Sequence, residues 1–378
     1  MTGDLSAPAD LPFPPPTALP VPLEALPTPA LLVERQVLLA NLAAMRALAD
    51  AAGVRLRPHF KTSKCPQVAA LQRSHGAIGF TCATPAEVRA VLALGPTDVL
   101  WAHQPVGPAK VRFAVAAARH GVAVALDSVE AAAPLAAAAD AAGVRLPYLI
   151  EIDSGLGRAG VDPDGAVALA TALAAHRSLL PRGVMTHEGH LARHRADRAA
   201  LEAAGARAGA LLAEVAAALR VAGRPCEIVS VGSTPGATSA PFAAGVTEAR
   251  PGTYVFHDAN QVALGSAGWA DCALTVLARV VSAQRDGTVI TDAGSKAMSA
   301  DPALDGHGFG AVPGQALTFL AANEEHGYLS GPGAASLKVG DLVRLVPNHA
   351  CGTVNMWGAM YVVEGGRAVE RWAVVARH

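Results

Sequence analysis

Arg57-Pro58-His59-Phe60-Lys61-Thr62-Ser63-Lys64 is the stretch on which the fold turns. It follows a short β-type run, Val54-Arg55-Leu56, and precedes a helix-forming segment that opens at Pro66, so Lys61 is expected where a strand ends and a loop begins. Most lysines are solvated surface charges. A partly desolvated one at a strand end is instead a neutral nucleophile that can form a Schiff base with an aldehyde.

From Ala30 onward one unit repeats: a short apolar run, a polar or glycine-bearing junction, then an alanine-rich helical stretch. This is βα alternation. Eight strand candidates fall at residues 54–59, 78–83, 99–103, 122–127, 148–153, 184–187, 227–231 and 246–250. That number closes a (β/α)8 barrel of the TIM type, with an open doubly wound sheet as the alternative arrangement. Thr84-Pro85-Ala86-Glu87 reads as an N-cap, a first-turn proline and a capping-box glutamate, and Pro108 and Ser128 mark similar helix starts. After about Asp271 the long helical periods give way to β-branched runs at 272–282, 288–292, 316–321, 342–346, 359–363 and 368–375. The expected organisation is a Pro-rich N-terminal arm (1–27), a barrel (28–266) and a C-terminal β domain (267–378).

With 378 residues, 52% of them hydrophobic and 16% charged, the chain can bury a large core. A formal net charge of −1 supplies no basic field for a phosphate backbone, which argues against nucleic acid and for small-molecule partners. Cys65, Cys82, Cys226, Cys272 and Cys351 are odd in number and scattered, so a reducing, cytoplasmic setting is expected rather than a disulfide framework. No Lys or Arg precedes Arg35 and prolines interrupt the first thirty residues, which fits neither a signal peptide nor a membrane span. Residues 8–29 read as an extended arm, and the alanine-rich run 131–142, carrying Pro134 and Asp140, as a packed helix.

In a barrel, the strand ends make the active face, and phosphate commonly binds in the loops after the seventh and eighth strands. Ser230-Val231-Gly232-Ser233-Thr234-Pro235-Gly236 and Arg250-Pro251-Gly252-Thr253-Tyr254 occupy those places, with glycines that admit an anion and hydroxyls that can bind it. Gly155-Leu156-Gly157-Arg158-Ala159-Gly160 imitates a dinucleotide fingerprint, but it sits at the fifth strand and lacks an acidic residue about twenty positions on, so it reads as a strand-end loop presenting Arg158. His187-Glu188-Gly189-His190 ends the sixth strand without zinc-protease spacing, leaving its histidines as candidates for substrate or cofactor contact. In Pro347-Asn348-His349-Ala350-Cys351, two ligand-type side chains one residue apart on an extended segment would point the same way. An imidazole with a thiolate suits Zn²⁺ and leaves positions open.

Taken together, Arg57-Pro58-His59 with Lys61, Asp153-Ser154-Gly155 with Gly157-Arg158, Glu188-Gly189-His190, Gly232-Ser233-Thr234-Pro235, Arg250-Pro251-Gly252-Thr253-Tyr254, Asp292-Ala293-Gly294-Ser295-Lys296, Glu325-His326-Gly327 and His349 with Cys351 resemble the D-threonine aldolase and D-serine dehydratase family, from about Thr28 to the C-terminus. The resemblance implies an alanine-racemase-type pyridoxal-phosphate enzyme, usually dimeric, with its site between barrel and β domain. It assigns Lys61 as the Schiff-base lysine, Gly232, Ser233, Thr234 and Tyr254 to cofactor binding, Arg158 to the cofactor ring, and His349 with Cys351 to a divalent metal. Zn²⁺ fits that pair best, with Mn²⁺ and Mg²⁺ as alternatives.

Two reactions of a D-3-hydroxy amino acid follow. Retro-aldol cleavage of Cα–Cβ gives an aldehyde and a smaller amino acid, with transfer to another acceptor as its variant; dehydration gives a keto acid and ammonia. His190 or His187 is the expected base, and His190 is the motive for placing cleavage first. Cys351 is more like the dehydratases. A metal-free racemase gives no reason for His349 and Cys351, and the β domain counts against a barrel-only pyridoxal-phosphate carrier.

Overall fold

A computed structural model describes residues 18–95, 97–195, 197–306 and 308–377. Eight parallel strands form the first sheet: Arg55–Leu56, Gly79–Cys82, Asp98–Trp101, Ala123–Leu126, Leu146–Glu151, Leu179–Met185, Ile228–Val231 and Glu248–Ala249. They neighbour one another in chain order, except that Arg55–Leu56 pairs with Glu248–Ala249. Single bridges from Leu56 to Ala77 and from His59 to Thr81 join the first strand to the second, so the sheet curls into the expected barrel, nearly closed.

Both faces of these strands are covered, which is why their sequences are almost continuously apolar. The helix starts form as their residues dictate. Thr84 Oγ1 accepts the Glu87 N–H at 3.2 Å, and Ser128 Oγ accepts that of Ala131 at 3.3 Å. The Glu87 carboxylate takes the N–H of Ala83 at 2.7 Å, one residue before the cap, while its other oxygen lies 3.4 Å from buried Lys64. The alanine-rich run lies in the helix Val129–Ala142, with Ala132, Leu135, Ala136 and Ala139 buried. Among the described residues no helix is long and apolar enough to cross a membrane.

The second sheet has ten strands and is antiparallel except for one pairing. Leu274–Arg285 bonds to Thr288–Thr291 and also to Leu342–Pro347, which curls six of the strands into a ring. One strand comes from an unexpected place. Ala30–Glu34, within the span expected to be barrel, lies between Leu274–Arg285 and Ala359–Glu364 in the β domain. Its apolar Ala30-Leu31-Leu32-Val33 is buried on both faces there, which the barrel, already filled by eight strands, does not offer. Of the proline-rich arm, residues 1–17 lie outside the described residues; Val21–Pro22 adds an edge strand against Ala368 and Arg367.

Candidate active site

A cavity of about 550 Å³ opens at the carboxyl ends of the barrel strands, where Lys61, His187, Arg250, His349 and Cys351 meet. Lys61 follows His59, whose bridge to Thr81 helps close the barrel, and its backbone N–H approaches His59 Nδ1 at 3.4 Å. The loops after the seventh and eighth strands are built around two glycines. A Cβ on Gly232 would lie 2.9 Å from Arg250 Cβ, and one on Gly252 would lie 2.8 Å from Thr62 Oγ1. Only glycine lets these loops approach so closely.

Glu188, fully buried, accepts the Gly232 N–H at 2.9 Å, and burial outweighs that bond in holding its carboxyl above the ordinary value. Arg250 is buried behind the loop, donating to Ser230 Oγ and, at 2.6 Å, to the Thr186 carbonyl. Thr234 Oγ1 accepts the Tyr254 N–H at 3.1 Å. The Tyr254 phenol points elsewhere: its oxygen accepts from Gln72 Nε2 at 3.0 Å inside the protein, and burial pushes its pKa far up. Tyr254 therefore reaches this region through its backbone. Arg158, half exposed on its strand-end loop, faces the cavity beside Glu151 at 3.6 Å, and Gln104 Nε2 donates to Glu151 at 2.7 Å. Asp153 ties the same loop down by accepting the N–H groups of Gly155, Leu156 and Gly157.

The two histidines of His187-Glu188-Gly189-His190 part company. His187 lines the cavity, whereas His190 lies in the short 3-10 turn Gly189–His194 and lines a separate surface hollow with His194 and Arg207. His187 Nδ1 lies 2.6 Å from the Gly232 carbonyl, an acceptor only, so Nδ1 carries the proton and Nε2 the lone pair. Burial, helped by the Lys61 charge, lowers the His187 pKa to about 3 and that of His59 well below its ordinary value.

His349 and Cys351 are also placed differently from expectation. The strand ends at Pro347; His349 is the N-cap of the helix Ala350–Met356, and Cys351 lies in its first turn. Helix geometry rather than strand alternation brings them together. Asp258, fully buried, accepts the Ala350 N–H at 2.9 Å and sits 3.4 Å from His349 Nδ1, so it fixes both the helix start and the imidazole. Cys351 Sγ lies 3.1 Å from Thr62 Oγ1. Burial would push the Cys351 thiol up, but the charges of His349 and Lys61 and the Thr62 hydroxyl bring it below its ordinary value. The Cys351 charge raises His349 in turn, against burial and with help from Asp258. Among the described residues no group of three or more His, Cys, Asp and Glu side chains is arranged around a metal position.

Glu188, Arg250, Asp258 and Thr62 thus have places here that sequence motifs alone do not reveal. Glu188 sits inside a quoted motif, but nothing local says that it turns inward to Gly232. Asp258-Ala259-Asn260-Gln261 signals a helix cap, which Asp258 does provide to Gln261, but not its reach to His349.

Residues 33–260 match the alanine racemase N-terminal domain, and residues 273–363 the putative serine dehydratase domain. A D-threo-3-hydroxyaspartate dehydratase of Delftia sp. (strain HT23) is 39% identical, over 93% of this chain and 97% of its own. A D-threonine aldolase of Arthrobacter sp is 34% identical, over 97% of this chain and 96% of its own. The crystal structure of D-threonine aldolase from Filomicrobium marinum superposes with a TM-score of 0.86 at 32% identity, covering 96% of this chain and 99% of that one. With this barrel, this β domain and relatives along its whole length, the chain belongs to the alanine-racemase-type, fold-type III family of pyridoxal-phosphate enzymes, alongside the D-threonine aldolases and D-3-hydroxyaspartate dehydratases.

Proposed function

We propose that this protein is a pyridoxal-phosphate- and metal-dependent lyase that cleaves D-3-hydroxy amino acids between Cα and Cβ. The residues fit the cofactor: Lys61 offers an amine at a strand end, the Gly232-Ser233-Thr234 loop and the Gly252 turn form a cradle that a Cβ would fill, and Arg158 faces the same cavity. They also fit a divalent ion, since a thiolate and an imidazole oriented by Asp258 make a catalytic donor pair that leaves positions for water and substrate. When bound, the cofactor supplies a sink for the electrons of the broken Cα bond and the ion supplies Lewis acidity to the β-hydroxyl.

The observation that carries cleavage is His187. It is an imidazole held neutral inside the cavity, with Nδ1 occupied by Gly232 and Nε2 free to take the proton of the β-hydroxyl. As the hydroxyl becomes a carbonyl, the Cα–Cβ electrons move toward Cα, and a proton returned there completes the smaller amino acid. Lys61, which lines the same cavity, would return that proton.

Dehydration is the second reading, and the shared cavity of Lys61 and Cys351 favours it. Lys61 and Cys351 line the same cavity, and the Lys61 amine is the group that would remove the α-proton while the β-hydroxyl leaves. The enamino acid then hydrolyses to a keto acid and ammonium. Incubation with D-threonine and with D-threo-3-hydroxyaspartate separates the readings. Aldehyde plus glycine supports cleavage; keto acid plus ammonia without aldehyde reverses the order. Borohydride reduction and peptide mapping should label Lys61, and a label on Lys64 or Lys296 would remove the assignment.

A homodimer in the cytoplasm completes the proposal. The family's dimeric habit and five unpaired cysteines support it, and sedimentation of the cofactor-loaded protein tests the dimer.

A further inference from the structure

Lys64 is an unusual lysine. It is 4% exposed, its φ of +44° lies in the left-handed region that non-glycine residues seldom occupy, and its Nζ binds three acceptors. These are Asn355 Oδ1 at 2.8 Å, the Ala376 carbonyl at 3.1 Å and Glu87 Oε1 at 3.4 Å. Its backbone is held as well, because Lys64 N–H donates to Phe60 at 2.9 Å and its carbonyl accepts from Val375 at 2.7 Å. A strained backbone persists where its surroundings over-determine it.

The partners show what is being held. Lys64 lies three residues after Lys61, in the turn that leaves the first barrel strand. Asn355 lies four residues after Cys351 in the helix Ala350–Met356, one turn further along the same face. The turn and the helix belong to different sheets' surroundings and touch at two levels: Thr62 against Cys351 at 3.1 Å and Lys64 against Asn355 at 2.8 Å. Asp258 at Ala350 and the Met298 carbonyl at Thr353 anchor the helix within its own surroundings, and the contacts at Cys351 and Asn355 are the ones that tie it to the turn. Spaced along the helix axis, the two set its distance from the turn at both levels.

We propose that Lys64 is a positioning residue, whose ammonium locks the turn carrying Lys61 to the helix carrying Cys351 and so sets the separation of the two halves of the site. This rests on the functional reading above only for its catalytic consequence; the lock itself is a property of the fold. Glu87 balances the buried charge from the barrel side, and Ala376 closes over it from the end of the described chain.

The test leaves Lys64 and Glu87 paired and removes the helix partner. Asn355 is half-buried and helical, so Asn355→Ala preserves packing and favours the helix. Cys351 is the one half-buried cysteine of the five, so its alkylation by iodoacetamide in the cofactor- and metal-free full chain, followed by peptide mapping, reports on the lock without any turnover. Losing one hydrogen bond to a charged group should speed Cys351 alkylation by about tenfold with little change in thermal midpoint, and Asn355→Asp, which keeps an acceptor, should restore the slow rate. In the loaded enzyme Asn355→Ala should lower kcat about tenfold more than it alters KM. An unchanged alkylation rate in Asn355→Ala, or acceleration by Asn355→Asp as well, overturns the proposal. A wild-type protein inert to every D-3-hydroxy amino acid would overturn the functional reading alone, since the alkylation comparison stands without it.

Discussion

His187 Nδ1 donates to the carbonyl of Gly232 at 2.6 Å, tying the end of the sixth barrel strand to the loop after the seventh. That bond decides which nitrogen is free for chemistry. His187→Asn should lower turnover by about a hundredfold to ten-thousandfold while the cofactor stays bound, whereas His190→Ala, acting in a separate hollow, should change turnover by less than about threefold. Steady-state rates and cofactor absorbance on the two variants check this; equal losses would put His190 back in the site.

Acid should weaken the cofactor-free protein before its carboxylates titrate. His59 and His187 are held neutral in the fold, with pKa values depressed below the ordinary 6.5. Unfolding therefore takes up protons, and stability is lost as pH falls from about 6.5 toward about 3. His349, raised above its ordinary value, opposes the two near neutrality, because the fold already holds the proton that the unfolded chain takes up as pH falls through about 6.5; two depressed histidines outweigh one raised one. Urea midpoints measured from about pH 7 to about pH 5 should fall, and fall less in His187→Asn.

Removing the ion should abolish turnover and leave the cofactor in place, because His349 and Cys351 stand on the β-domain helix while Lys61 and the glycine loops belong to the barrel. Cys351→Ser should weaken metal affinity by at least about a hundredfold, since loss of a ligand exceeds what loss of its orienting partners costs. Metal titration by calorimetry measures it, with thermal melting as the control for folding.

Below the cavity, Arg57 donates to Glu248 at 2.8 Å and to Asp98 at 3.0 Å, and Glu248 is wholly buried. Arg57→Met would take from that carboxylate its ion-pair partner and leave it, among the described residues, only the Ser230 hydroxyl as a hydrogen-bond partner, at 2.7 Å. A loss of about 3–5 kcal/mol in unfolding free energy is expected, from the unpaired buried charge rather than from any change in volume. Glu248→Gln in the same background should recover part of it in denaturant titrations.

The barrel was legible because parallel strands covered on both faces must be apolar throughout, and runs such as Ala123–Leu126 and Leu146–Glu151 have no other reading once helices flank them. That Lys61, the glycine loops and Arg158 line one cavity was legible for a related reason: strand ends fix where loops point. Contacts between distant segments were not. Nothing within a few residues of His349 announces that Asp258 will cap its helix, so the segment looked like the continuation of a strand. Likewise Gly189 starts a 3-10 turn that carries His190 away from the cavity His187 enters, although the two stand three residues apart.

The strand Ala30–Glu34 has a consequence for how this molecule comes into being. Its two neighbours are Leu274–Arg285 and Ala359–Glu364, so during synthesis an almost wholly apolar strand waits unpaired until nearly the whole chain has left the ribosome. The barrel is therefore not a module that can be cut loose after its eighth strand: a fragment ending near residue 266 would carry that strand exposed, as a ready template for aggregation. A strand of five residues, made early, is among the last to find its place.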